Sequence, residues 1–229
     1  MEVLSTSPDG ALSSPRQLSN RGADHGSPLS AFGTVSHYSG RKAIFSEGDE
    51  ADFSFIILAG AVRLFMTRSE GSRTVVAFAL PGDFFGIEWL GQHTLSAETI
   101  DGATLVCFGS KHLRRLADEN KFVRAELFWI HRHSLWATQT HLGTLSRHSA
   151  VERVATFLVE LLDRSGRPEK LIDIPMSRED IGNYLGLTIE TVCRVLTELK
   201  QRKLIDIPNR REIVVRNERA LRAVAEPVT

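Results

Sequence analysis

A chain of 229 residues with no net formal charge, 42% hydrophobic residues and two cysteines can hold one large domain or two modest ones with real cores. Cys107 and Cys193 are too few and too far apart for a disulfide scaffold, which suits a cytoplasmic setting, and no apolar run reaches the length of a bilayer. The neutral total hides an uneven layout: 7 Lys/Arg against 12 Asp/Glu over residues 1–110, 7 against 3 over 111–148, and 9 against 4 over 194–222. Local basic surface of this kind leaves nucleic acid open as a partner.

Residues 1–30 are rich in Ser, Pro and Gly with scattered single Leu, and lack the charged start and apolar core of a secretory signal. They read as a flexible tail. Residues 31–117 carry short apolar runs at Ala43–Phe45, Phe53–Leu58, Ala61–Thr67, Thr74–Leu80, Ser96–Ile100 and Thr104–Phe108. Turn signals separate them, among them Ala59-Gly60, Glu70-Gly71-Ser72, Pro81-Gly82-Asp83 and Asp101-Gly102. Regularly spaced short strands predict an antiparallel jelly-roll, so the fold class is α+β.

Residues 118–148 predict a long helix, from about Asn120 to Ser146. Phe122, Leu127, Phe128, Ile130, Leu135, Trp136, Leu142 and Leu145 are its apolar members, on a spacing that departs from a strict heptad. It either packs on its own barrel or pairs with a second copy; its reach of roughly 40 Å exceeds what one small barrel needs. Residues 149–229 restart with a capping box, Ser149 to Glu152, and a break near His148 is a natural hinge.

Ser177 then caps a short helix, Gly186 supplies a tight turn, and Thr188 caps a second helix running to about Gln201. On that helix Val192, Val195, Leu196 and Leu199 form one buried face, leaving Glu190, Arg194 and Thr197 outward. Glu190 can accept from a cytosine amine and Arg194 can fork onto guanine O6 and N7, and their i, i+4 spacing lets each hold the other in its reading pose. An isolated Glu–Arg pair is usually plain solvated surface; inside a capped helix-turn-helix it points to double-stranded DNA. Leu204–Ile207 and Glu212–Val215 predict a hairpin with Leu171–Ile174 as a third strand. Arg210 and Arg211 at its tip face phosphate or serve solubility.

The stretch LGLTIETVCRVLTELKQRKLI followed by REIVVRN resembles the winged helix-turn-helix of the CRP/FNR superfamily of bacterial transcription regulators. IFSEGDEADFSFIILAGAVRLF and FALPGDFFGIE resemble its cyclic-nucleotide-binding β-roll. Ile189, where CRP-like members have Arg, makes the chain FNR-like, and Cys193 in place of a usual Ser makes it most similar to the FixK branch. The resemblance implies a homodimer on TTGA-type inverted repeats, activating low-oxygen respiration or nitrogen-fixation genes. It also implies backbone contacts from Arg178, Thr188, Thr191, Cys193, Arg210 and Arg211, and an RNA polymerase contact from the loop Arg68, Ser69, Glu70, Gly71, Ser72 and Arg73. A repressor or a regulator gated by an unidentified small molecule is the alternative.

No cofactor is expected. Against the superfamily's phosphate cassette, Phe85-Gly86-Ile87-Glu88 keeps a Glu, but no phosphate-clamping Arg follows, and Glu98 sets a carboxylate where an anion would bind. Residues 1–30 hold no cysteine to ligate an iron–sulfur cluster. His37 and His93 are weak candidates for heme, being more often surface or packed residues. A cupin-type metalloenzyme is not expected, because the one His-x-His, His131 and His133, lies on the long helix, where such positions diverge. The chain is therefore read as no enzyme and no membrane protein. Cys193, near the positive end of a helix and beside Arg194, is the redox candidate: oxidised, it would set negative charge against phosphate. The plainer reading is a small neutral residue in the place of Ser.

Overall fold

Fifteen residues from Phe53 to Thr67 form one strand, β3, and fourteen from Ser96 to Gly109 form another, β6. The turn signals at Ala59-Gly60 and Asp101-Gly102 predict two strands in each place, and the structure has one. β3 and β6 pair antiparallel from Phe53 opposite Gly109 to Phe65 opposite Ser96, with register shifts around Ala59 and Gly60. Gly60 (φ 85°) and Gly102 (φ 118°) sit at that irregularity, and a Cβ on Gly60 would stand 2.3 Å from the Gly102 carbonyl oxygen. Glycine here serves a β-bulge and a close approach of two backbones, bending the strands into a roll instead of reversing them.

The computed structural model describes residues 28–88, 91–146, 149–165 and 169–225. Residues 1–27 of the tail expected over 1–30, and the hinge expected at His148, lie outside these. The roll is a six-stranded antiparallel sheet in the order β1 (Thr34–Ser39), β6, β3, β4 (Arg73–Ala79), with β2 (Ala43–Phe45) on β6 and β5 (Phe84–Phe85) on β3. β1 escapes detection because TVSHYS lacks an apolar alternation. Phe55, Ile57, Val62, Phe85, Ala97 and Leu105 fill the interior. Leu29, expected in the tail, is instead buried with Ile56, Val106, Phe108, Leu113 and Val123, so the domain begins before residue 31.

Helix α1 (Ser110–Glu119) leads into α2 (Lys121–Leu145), whose N-cap Asn120 accepts from the amides of Phe122 (2.9 Å) and Val123 (3.4 Å). Only Val123 and Thr144 of α2 are buried, while Phe122, Phe128, Leu135, Trp136 and Leu142 are exposed. Phe128, Leu135 and Leu142 recur every seven residues. The heptad looked imperfect because Arg132 and Gln139 stand between them where a second apolar position would fall.

The C-terminal unit stacks α3 (Ala150–Ser165), α4 (Arg178–Leu185), α5 (Ile189–Gln201) and α6 (Glu218–Ala225) against a sheet ordered β7 (Leu171–Asp173), β9 (Glu212–Val215), β8 (Ile205–Asp206). Val154, Leu158, Leu161, Ile181, Leu185, Val192, Leu199, Ile213 and Leu221 form its core. α6 is absent from the sequence reading: eight residues with two buried positions, Leu221 and Ala225, give too short a pattern. The same apolar cluster takes in Ala61 and Ile100 from the outer face of the roll, with Phe78 and Leu80 packed against it. The two units of one chain thus share a core.

Candidate nucleic-acid interface

The first turn of α4 is held by a reciprocal capping box. The Asp180 amide donates to Ser177 Oγ (3.0 Å), and Asp180 Oδ2 accepts from the Ser177 amide (3.3 Å) and hydroxyl (2.8 Å). Gly186 closes the helix in the left-handed conformation (φ 64°, ψ 40°), and the Leu187 amide donates to the Gly182 carbonyl (2.9 Å). Thr188 starts α5, its hydroxyl accepting from the Thr191 amide (3.3 Å) and lying within hydrogen-bond distance of Thr191 Oγ1 (3.2 Å).

From that start, Val192, Val195, Leu196 and Leu199 turn into the core, as their spacing predicts. Glu190, Cys193, Arg194 and Thr197 are exposed along the opposite side. Glu190 has its own amide and the Thr188 hydroxyl as partners, which hold its carboxyl below the usual range and keep it ionised at neutral pH. Arg194 has no hydrogen-bond or ion-pair partner among the described residues, so the expected mutual support of Glu190 and Arg194 is not formed. The caps engage Glu190 instead and leave the guanidinium open to solvent. The Thr197 hydroxyl donates to the Cys193 carbonyl (2.9 Å) and the Cys193 thiol is free and exposed.

The predicted wing is present, with β7 as its third strand. Half-buried Arg178 ties the first turn of α4 to it, donating from Nη2 to the Arg210 carbonyl (3.3 Å), and burial draws its guanidinium below the ordinary value. Asn209 Oδ1 accepts from the amides of Arg211 (2.8 Å) and Glu212 (3.0 Å), shaping the tip. Arg210 is exposed. Arg211 is already engaged, its guanidinium paired with Asp101 on the bulge of β6. Arg68, Ser69, Glu70, Gly71 and Ser72 form an exposed β3–β4 turn closed by Arg68 N to Ser72 O (2.8 Å). Arg73 turns away from that loop: it lies 4.6 Å over the Phe65 ring and pairs with Glu98 (3.3 Å).

A capped helix pair with an open polar face, followed by a wing, matches the model of the Crp-like helix-turn-helix domain over residues 152–224, and the roll matches that of the cyclic nucleotide-binding domain over residues 35–120. The nitrogen fixation regulation protein FixK of Rhizobium meliloti is 40% identical over 197 residues, covering 86% of this chain and 90% of its own length. This chain belongs to the CRP/FNR superfamily of transcription regulators. The transcriptional activatory protein AadR of Rhodopseudomonas palustris is 37% identical over 173 residues, 74% of this chain and 72% of its own. The solved structure of FixK2 from Bradyrhizobium japonicum shares 34% identity at a TM-score of 0.81, over 86% of this chain and 99% of that one. Within the superfamily the chain is closely related to the FixK branch, and it is a DNA-binding transcription regulator, in a family without catalytic domains.

The cassette region of this CRP/FNR roll differs from the sequence reading in one respect. Glu98 does not present a bare charge to a ligand: it alternates with buried Ala97 and is met by Arg63 and Arg73 on the roll's outer side. The interior is occupied by aromatic rings. Phe45 stacks on His93 (3.6 Å) and on Phe55 (5.9 Å), which stacks on Phe85 (5.2 Å). Glu88 accepts from the Thr94 hydroxyl (3.0 Å). Burial lowers the His93 pKa, and His37 bonds Thr104 (3.0 Å). His131 bonds the Leu127 carbonyl (2.6 Å), while His133 stacks between Trp129 and Trp136, so the two diverge. Among the described residues no group of three or more His, Cys, Asp or Glu could hold a metal ion, and no helix is long and apolar enough to cross a membrane. Arg63 and Asp101 carry contacts the sequence reading missed; the available signal was a single Arg within the apolar run FIILAGAVRLF.

Proposed function

We propose that the protein is a homodimeric, sequence-specific activator that reads TTGA-type inverted repeats and governs genes of low-oxygen respiration or nitrogen fixation. The observation that carries the reading is α5 itself: a capped helix that leaves Glu190, Cys193, Arg194 and Thr197 exposed together on the side opposite its buried face. Arg194 has the geometry to fork onto a guanine and Glu190 the charge to accept from a cytosine amine. Thr188, Thr191, Arg178, Arg210 and Arg211 are assigned to phosphate, Arg211 after release from Asp101. The exposed stripe Phe128, Leu135, Leu142 supports pairing of two α2 helices, which sets two recognition helices on a two-fold symmetric site. The turn from Arg68 to Ser72, with Arg73 behind it, is assigned to RNA polymerase. The names of the relatives, nitrogen fixation regulation protein and transcriptional activatory protein, support the physiology.

Two features support action without an effector: no phosphate-clamping Arg stands in the cassette region around Phe85-Gly86-Ile87-Glu88, and no cysteine precedes Cys107 to build a cluster. Control is assigned to protein abundance and to Cys193, whose exposed thiol can be oxidised to a charged species beside DNA phosphate. Genome-wide mapping of bound sites in the native cell tests the whole reading. Enrichment of TTGA-type inverted repeats upstream of respiratory or nitrogen-fixation genes is the expected result; sites without two-fold symmetry would refute it.

A further inference from the structure

We infer that Arg63 of the roll is a positioning residue for DNA reading: by holding Asp180 it fixes the helix-turn-helix at one angle to α2, and so fixes the half-site spacing the dimer accepts. The inference rests on the dimeric DNA-binding reading above. Arg63 is buried, 8% exposed, where β3 meets α4. Its Nη1 donates to Asp180 Oδ1 at 2.6 Å and its Nη2 to Glu98 Oε1, while Glu98 Oε2 takes Arg73 Nη1 at 3.3 Å. Burial alone would draw the guanidinium down, but Glu98 and Asp180 outweigh it, and the group is held charged more firmly than usual.

Asp180 is the hinge pin of this arrangement. One oxygen, Oδ2, caps α4 through Ser177; the other, Oδ1, takes the roll's arginine. Its carboxylate therefore joins the roll to the first turn of the helix that carries α5. Around it the joint is mostly ring packing: Phe78 of β4 meets Tyr184 (5.1 Å) and Phe157 (6.3 Å), and His141 of α2 stacks on Tyr184 at 3.9 Å and 7°. The apolar burial beside them, with Ala61, Ile100 and Leu80, is non-directional and tolerates sliding, whereas a buried guanidinium fork between two carboxylates holds at one geometry and is costly to leave unpaired. The outer pairs Arg164–Asp83 and Arg211–Asp101 are more exposed and add little. A rigid joint concentrates the second recognition helix at one separation and depletes it at others, the arithmetic of any linked pair of binding modules.

Two full-length variants test this on duplexes whose two half-sites are moved apart by up to two base pairs, a shift of about 7 Å and about 70° around the duplex. Asp180→Asn keeps an acceptor for Ser177 but turns an amide toward Arg63; Arg63→Met keeps the stem and removes the fork. The wild type should lose about 100-fold in affinity over that shift. Asp180→Asn should lose about 10-fold at the native spacing and show a nearly flat profile, with the penalty for a changed base within a half-site unaltered. Arg63→Met should do the same if its melting curve stays cooperative, and Asp180→Asn decides if it does not. Loss by an equal factor at every spacing would mark the contact as merely structural and overturn the inference, as would an unchanged profile. A wild type that binds no inverted repeat would instead sink the underlying reading, which the same wild-type arm reveals.

Discussion

Leu135 stands at the middle of the exposed stripe on α2, 60% exposed in the single chain, and Leu135→Ala should weaken the dimer without unfolding the protomer. Burying a leucine fully stabilises by about 1.5–3 kcal/mol, so covering the exposed 60% is worth about 1–2 kcal/mol per copy. A symmetric seam contains the residue twice, giving about 2–4 kcal/mol, or a dimer dissociation constant raised roughly 30- to 700-fold. Alanine is a good helix former, and residue 135 is not among the buried residues of its own chain, so α2 should keep its helicity and the roll its melting temperature. Sedimentation velocity over a concentration series reads the constant directly, and circular dichroism at matched concentrations checks the helix. An unchanged dissociation constant would refute the seam. So would a destabilisation equal in monomer and dimer, which would mean Leu135 packs within its own protomer.

Gly60→Ala should cost about 2–4 kcal/mol, because its Cβ would meet the Gly102 carbonyl oxygen at 2.3 Å as well as a positive φ. Gly71→Ala, at φ 84° with nothing within 4 Å, should cost only about 1 kcal/mol, and urea melts of the two compare them. Peroxide should weaken DNA binding of the native protein about 10- to 100-fold and spare Cys193→Ser, while Cys107→Ser behaves like the native form; equal inactivation of native and Cys193→Ser proteins would remove Cys193 from the mechanism. Burial holds the His141 imidazole below its ordinary value of 6.5, so the unfolded chain takes up the proton first and stability declines as pH falls below that value. His141→Phe, which keeps the stack on Tyr184, should remove part of that decline in denaturation midpoints compared at pH 7.5 and 5.5.

Helix α5 is legible in the sequence because every local rule agrees there: Ser177, Gly186 and Thr188 cap and turn, and the valines and leucines of α5 keep a 3.6-residue period. Gly60 and Gly102 misled, since a glycine that bulges a long strand and one that reverses a chain look alike in sequence. Long-range pairings were beyond any local pattern. Arg63 meets Asp180 across 117 residues and Arg211 meets Asp101 across 110, and no periodicity encodes such partners. Asp180 follows Ser177 at the three-residue spacing of a capping box, but only the fold reveals that its second oxygen faces the roll.

In the proposed function, α5 reads a two-fold symmetric sequence through Arg194 and Glu190. In vitro selection from random duplexes with the purified, effector-free protein, run beside Arg194→Ala, tests it most directly. The wild type should enrich an inverted repeat of TTGA-type half-sites, and Arg194→Ala should lose discrimination at one guanine per half-site by about 1–3 kcal/mol with the other positions kept. Enrichment of an asymmetric sequence, or the same preference in both proteins, would contradict it.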